Sequence, residues 1–168
     1  TTSFYPSKNL GCYGDGGAIF TNDNDLASKI KMIVNHGEKA KYHHEIVGCN
    51  SRLDSIQAEI LNVKLNYLDE YNSNREIMAN NYNLALNEID ELQVPKVIGN
   101  SEHVYHQYTL RVLNGKRNKL KSHLNDKGIP SMVYYPIPIH KQKAYINNQT
   151  LRNTDILSEE VISLPIHS

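Results

Sequence analysis

The sequence has no excess of charge of either sign: among its 168 residues, 18 Lys and Arg stand against 18 Asp and Glu. A balanced chain has no net field to draw in nucleic acid or an anionic membrane, and no helix-turn-helix pattern is present. Hydrophobic runs are short, none approaching the roughly 18 residues of a membrane span, and no signal peptide is visible. Cysteine is scarce. Cys12 and Cys49 form neither a CxxC pair nor a disulfide-scaffold spacing, which suits a reducing cytoplasm. The eight histidines are scattered; His43 and His44 are adjacent and point apart in most backbones, with no carboxylate or cysteine at ligand spacing, so no metal site is expected. A hydrophobic content of 39% allows one sizeable core and one to two domains.

The informative stretch comes first. Ser3-Phe4-Tyr5-Pro6-Ser7-Lys8-Asn9-Leu10 leads into Gly11-Cys12-Tyr13-Gly14-Asp15-Gly16-Gly17, with glycine at four of seven positions, and then into the apolar Ala18-Ile19-Phe20. A Walker loop puts its lysine after the glycines and before a helix, whereas Lys8 precedes them and a strand, Ala18 to Thr21, is expected to follow. The dinucleotide pattern fails too, since Gly14-Asp15-Gly16 lacks a glycine three places on. Lys8 is then either a solvated lysine beside a flexible loop or a positioned amine, with Ser3 and Ser7 able to bind an anion. A lysine amine attacks a carbonyl once burial or a neighbouring cation lowers its pKa from about 10.4.

Further along, Asn22-Asp23-Asn24 reads as a turn and helix cap. Leu26, Ile30, Ile33 and Val34 follow at helical spacing, with Gly37 placed to end the helix. His36 to His44 reads as a polar loop. Asp54 with Gln57 resembles a capping box, opening a long helix with Ile56, Ile60, Val63, Tyr67, Leu68 and Tyr71 on its apolar face. A bend at Asn72-Ser73-Asn74 separates it from a second helical stretch, about residues 74–87. Asn50 and Arg52, just before this pair, read locally as cap and surface charge, and Arg52 has the geometry of a bidentate anion binder. Val104 to Leu113 alternates as a half-buried strand, with His106, Tyr108, Leu110 and Val112 on one face. Arg117 to Asp126 reads as a helix ended by Gly128, and Ser131 to Tyr135 as a strand. Pro136 and Pro138 fix an extended loop presenting His140, and Ser158 to Ile162 is a helical turn before a closing strand.

Four ordered stretches resemble one family. SFYPSKNLGCYGDGGAIF is similar to the active-site lysine segment of the DegT/DnrJ/StrS-type sugar aminotransferases. GCNSRLDSIQAEIL (Gly48 to Leu61), HVYHQYTLRV (His103 to Val112), and the pair GIPSMVYYPIPIHKQKAY (Gly128 to Tyr145) and SLPIHS (Ser163 to Ser168) match later parts of the pattern in the same order. The fold this implies is α/β: the end of a fold-type I PLP-dependent transferase large domain over residues 1–53, connecting helices over 54–90, and a small α+β C-terminal domain over 91–168. The chain starts without Met and lacks the family's glycine-rich phosphate loop, ring-stacking aromatic and ring-nitrogen carboxylate. It is therefore expected to be the back half of an enzyme, cut at both ends.

The resemblance implies the chemistry as well. Pyridoxal 5'-phosphate (PLP) would join Lys8 as an imine, glutamate would donate the amino group, and a nucleotide-linked keto sugar would receive it, in cell-surface polysaccharide or deoxyamino-sugar biosynthesis. Some relatives carry histidine in place of the lysine and dehydrate sugars; Lys8 implies transamination. Ser3 matches a phosphate-contacting serine. Asn50 matches an asparagine that reaches the cofactor phosphate of the other subunit, which implies a homodimer with a shared active site. Tyr42, Arg52, His106, Tyr134 and His140 are candidate substrate contacts, each also open to a structural role. HGEKAKYHH followed by VGCNSRLD resembles the branch that acts on 3-keto sugars. A catalytically inactive fragment, or a non-enzymatic regulator of the same fold, is the alternative.

Overall fold

The computed structural model describes residues 1–146 and 149–167, so Ser168 of the SLPIHS stretch lies outside the described residues. The chain divides into two compact units, Thr1–Leu68 and Asp69–Ser168. Among the described residues no helix is long and apolar enough to cross a membrane.

In the first unit, β1 (Thr2–Ser3) pairs antiparallel with β2 (Gly17–Ala18), Thr2 opposite Ala18 and Ser3 opposite Gly17. The strand expected over Ala18 to Thr21 is thus only two residues long. Beyond Ala18 the pairing does not continue, and Ile19 and Phe20 stand exposed. Helix α1 (Asn24–Val34) starts where expected, because the Asp23 carboxylate accepts the N–H groups of Asp25 and Leu26. Its end is a Schellman-type cap. His36 takes the left-handed conformation (φ 61°), and the Gly37 N–H bonds the Met32 carbonyl at 2.7 Å. Gly37 itself sits at φ 75°, and a Cβ there would lie 1.7 Å from the Ile46 carbonyl oxygen.

The segment expected as a loop is a small hairpin, β3 (Glu38–Ala40) against β4 (His43–His44). No face of it is buried, so no periodicity betrayed it in the sequence. Helix α2 (Ser55–Leu65) is capped by Asp54, which accepts the Gln57 N–H at 2.9 Å. The break after it falls at Asn66 and Tyr67, not at Asn72 to Asn74, which continue within α3 (Leu68–Leu86). Asn66 ends α2 by bonding the Asn62 and Val63 carbonyls through its own amide. The expected apolar face of α2 is largely solvent-facing: Ile56 and Val63 are exposed, and Leu61 is the buried residue of that helix.

The second unit is built on a three-stranded antiparallel sheet, β5 (Leu92–Gln93), β6 (Tyr108–Val112) and β7 (Val161–Leu164), in that spatial order. Tyr108, Leu110 and Val112 point inward from β6, as the alternation required. They close on Ala79 of α3, Tyr105 and Ile162 to form the core. β6 is shorter than Val104 to Leu113. The Arg75 guanidinium takes the carbonyls of Tyr105 and His106 out of the ladder, and Tyr105 has φ 40°.

Helix α4 (Arg117–Asp126) has the expected bounds, and its end is a full Schellman motif: Ile129 N–H to the Leu124 carbonyl and Gly128 N–H to the Asn125 carbonyl. Ser131 to Tyr135 is not a strand. Between Pro130 and Pro136, which cannot donate to a ladder, Met132 alone bridges to Ser163. A 3-10 turn covers Ile139–Lys141, and α5 (Arg152–Glu160) starts six residues ahead of the expected turn at Ser158. Leu151 in its N-cap position offers no capping side chain, so the sequence carried no start signal; Val161 and Ile162 belong to β7.

Candidate active site

The lysine segment is a tight turn held from behind. The Tyr5 N–H bonds the Ser3 hydroxyl oxygen at 3.2 Å, and the Lys8 N–H bonds the Tyr5 carbonyl at 2.9 Å across Pro6 and Ser7. The chain then folds back. The Cys12 N–H reaches the Phe4 carbonyl at 2.8 Å, and its buried thiol lies 3.0 Å from the carbonyls of Phe4 and Gly14. Gly11 passes so close behind the turn that a Cβ on it would stand 2.7 Å from the carbonyl oxygens of both Tyr5 and Pro6. Lys8 is half-buried on the turn so formed.

Helix α2 approaches this loop with two side chains. Gln57 Oε1 accepts the Tyr13 N–H at 2.7 Å; it does not return to Asp54 as a capping box would have it, so that box has only its Asp54 arm. Lys64 Nζ donates to the Gly11 carbonyl at 2.6 Å and lies 4.8 Å from the centre of the Tyr13 ring.

Asn50, Arg52 and the Tyr42 hairpin share one polar network. Arg52 Nε donates to Asn50 Oδ1 at 3.0 Å, and its Nη1 donates to Asn35 Oδ1 at 3.2 Å. Asn35 Nδ2 donates to Glu38 Oε2 at 3.0 Å, and the other Glu38 oxygen accepts the Tyr42 N–H. Asn50 and Arg52 line a cavity of about 680 Å³ together with Thr2, Asp15, Gly17 and Ile30; Ser3 and Lys8 are not part of that lining. Tyr42 sits at the left-handed tip of the hairpin (φ 68°), 79% exposed, with the Lys41 ammonium 5.1 Å from its ring centre.

The second unit puts its three candidates in separate local settings. The His106 carbonyl is held by Arg75 at 3.4 Å, and the Tyr134 ring meets Tyr135 edge-on at 5.6 Å. His140 departs from expectation: the proline-bracketed loop turns it inward rather than presenting it. It is 6% exposed, with Nε2 3.1 Å from Asp155 Oδ1, an oxygen that also meets Lys141 Nζ at 2.7 Å. The Lys141 bond, aided by the charges of Lys141 and His140, holds the Asp155 carboxyl below the usual range against the cost of desolvation. On the sheet, burial foremost, with smaller contributions from Tyr105 and Tyr82, pushes the Tyr108 hydroxyl up to about 12.

Four polar residues of the first unit were not singled out for site roles from sequence: Gln57 beyond its capping role, Lys64, Asn35 and Glu38. The seven-residue spacing of Gln57 and Lys64 was a usable signal, because it puts them on one helix face. Asn35 and Glu38 carried none, since their partners lie on a hairpin without apolar pattern.

The model of the DegT/DnrJ/EryC1/StrS aminotransferase family matches residues 1–168. Over 167 residues the chain is 46% identical to the UDP-2-acetamido-2-deoxy-3-oxo-D-glucuronate aminotransferase of Pseudomonas aeruginosa, covering 99% of this chain and 46% of that protein. It is 44% identical over 172 residues to a pleiotropic regulatory protein of Geobacillus stearothermophilus, covering 99% and 46%. The structure is similar to that of NtdA from Bacillus subtilis with bound cofactor PMP, at a TM-score of 0.89 and 32% identity, covering 98% of this chain and 40% of that one. The chain thus spans about half the length of the curated relatives it matches.

Proposed function

The chain belongs to the DegT/DnrJ/EryC1/StrS aminotransferase family, and on that premise we propose that the complete protein transfers an amino group from glutamate to C3 of a nucleotide-linked keto sugar with pyridoxal phosphate as cofactor. The single observation that carries this reading is the half-buried Lys8 on a turn that Gly11 backs too closely for any side chain.

The residues present fit the cofactor. The Ser3 hydroxyl oxygen accepts the Tyr5 N–H, which leaves its hydrogen to donate to a phosphate oxygen. Asn50 accepts Arg52 through Oδ1, so its amide NH₂ points elsewhere and can donate to an anion; in a homodimer that anion would belong to the partner's cofactor. When bound, pyridoxal phosphate supplies an aldehyde carbon for an amine and a ring that accepts an electron pair. Lys8 Nζ is the amine that anchors it and then takes up the proton leaving the donor's α-carbon. Arg52, fixed by two acceptors on Asn50 and Asn35, presents the rest of its guanidinium to an anionic group of the substrate. Tyr42, His106 and Tyr134 are the remaining proposed substrate contacts. His140 joins them only by holding its loop, since its ring is buried beside Asp155. The setting proposed for this reaction is the cytoplasm, in cell-surface polysaccharide or deoxyamino-sugar biosynthesis.

Borohydride reduction of the complete protein with pyridoxal phosphate, followed by peptide mapping, is expected to put the label on Lys8. A label on another residue, or none, sinks the assignment. The name of the Geobacillus relative favours one other reading, a regulator without turnover. Labelling of Lys8 with no amino transfer from glutamate to any 3-keto nucleotide sugar would select it.

A further inference from the structure

Gln57 and Lys64 have no part in the chemistry above, yet both side chains end on the loop behind Lys8. Seven residues apart on α2, they project from one face. At 2.7 Å to the Tyr13 N–H and 2.6 Å to the Gly11 carbonyl, both bonds are short, and the second is charge-assisted. Lys64 also lies over the Tyr13 ring, so the two contacts bracket residues 11 to 13 from one direction.

What lies on the other side of that segment is the lysine turn itself. Gly11 touches the Tyr5 and Pro6 carbonyls with no room for a methyl group, and the Tyr5 carbonyl takes the Lys8 N–H. Close-packed backbone transmits displacement rather than absorbing it. Apolar burial does little to seat α2, for Leu61 is its buried residue; the two polar contacts define where the helix stands against the loop.

We infer that Gln57 and Lys64 are positioning residues for the Lys8 amine, acting through Tyr13 and Gly11. The inference rests on the proposal that Lys8 is the amine joined to the cofactor. It is tested in the complete protein by two measurements. Amide hydrogen exchange at Tyr13 should quicken by about ten-fold in Gln57→Leu, the loss of one hydrogen bond, and stay near the parent rate in Gln57→Glu, which keeps the acceptor oxygen. Unchanged exchange in Gln57→Leu overturns the inference.

With pyridoxal phosphate loaded, the pH midpoint of the visible absorbance of the cofactor joined to Lys8 should move by about half a unit or more in Gln57→Leu and Lys64→Met. It should return toward the parent value in Gln57→Glu and Lys64→Arg. A purely stabilising role lowers the melting temperature and leaves that midpoint in place, and this result also overturns the inference. If Lys64→Met does not fold, Lys64→Leu, which likewise removes the donor to the Gly11 carbonyl, takes its place with the same expected shift. Parent protein without the absorbance defeats the Lys8 assignment itself, a failure distinct from a parent that shows it and variants that do not shift it.

Discussion

In residues 69–168 six buried side chains, Ala79, Tyr105, Tyr108, Leu110, Val112 and Ile162, close on one face of β6. In residues 1–68 the buried apolar side chains among the described residues are Cys12 and Leu61. The second unit is held by apolar burial, the dominant favourable term in folding. The first is held by backbone bonds, caps and glycines at close approach, and it carries Ser3, Lys8, Asn50 and Arg52. Polar contacts fix direction where apolar burial fixes only proximity, which suits the first unit to the proposed site, where an amine must be aimed.

That contrast is broken most directly by separating the units. Residues 69–168 alone should unfold cooperatively on heating, followed by circular dichroism, and residues 1–68 alone should show no sharp transition; the reverse outcome removes the comparison. A second test sets Lys8→Ala against Leu110→Ala in the complete protein. Lys8→Ala should lower turnover by about 10³-fold or more with an unchanged melting temperature. Leu110→Ala should cost about 2–5 kcal/mol of stability, measured by denaturant unfolding, while Lys8 remains open to borohydride labelling.

Gly11→Ala sharpens the picture, because its methyl meets two carbonyl oxygens. It should cost about 1–3 kcal/mol and slow cofactor uptake, whereas Gly99→Ala, which meets nothing within 4 Å, should do neither. The smallest effects are those of pH, and they lie in the second unit. The Tyr108 hydroxyl is raised to about 12, so the unfolded chain loses this proton first. Its contribution is complete below about 10 and is lost as pH rises toward 12; Tyr108→Phe should flatten that part of the alkaline unfolding curve. Asp155 is depressed by Lys141, so its contribution is complete above the ordinary aspartate range and fades as pH falls through the lower folded value. Asp155→Asn should remove that acid-side slope.

The sequence showed most where one residue type has one physical job. The Asp23 and Asp54 caps, the inward alternation of Tyr108, Leu110 and Val112, and the stops at Gly37 and Gly128 all follow from local rules. It misled where a partner decides the outcome. Val104 to Gln107 alternated correctly, yet the carbonyls of Tyr105 and His106 went to Arg75 instead of a neighbouring strand. The lysine turn was legible through its glycines. The inward turn of His140 was not, since proline fixes a backbone without saying which way a side chain faces, and Asp155, which meets it, lies fifteen residues further along the sequence.

The two anchor points of α2 also decide where the chain tolerates a change of length. A residue inserted at the Lys41–Tyr42 tip alters neither the Gln57 nor the Lys64 contact, and the connection from Tyr13 to Gln57 can grow or shrink there. A residue inserted between Gln57 and Lys64 swings one of them by about 100° around the helix axis and unhooks it from the loop. Of these two stretches, it is the short helical one whose length is fixed.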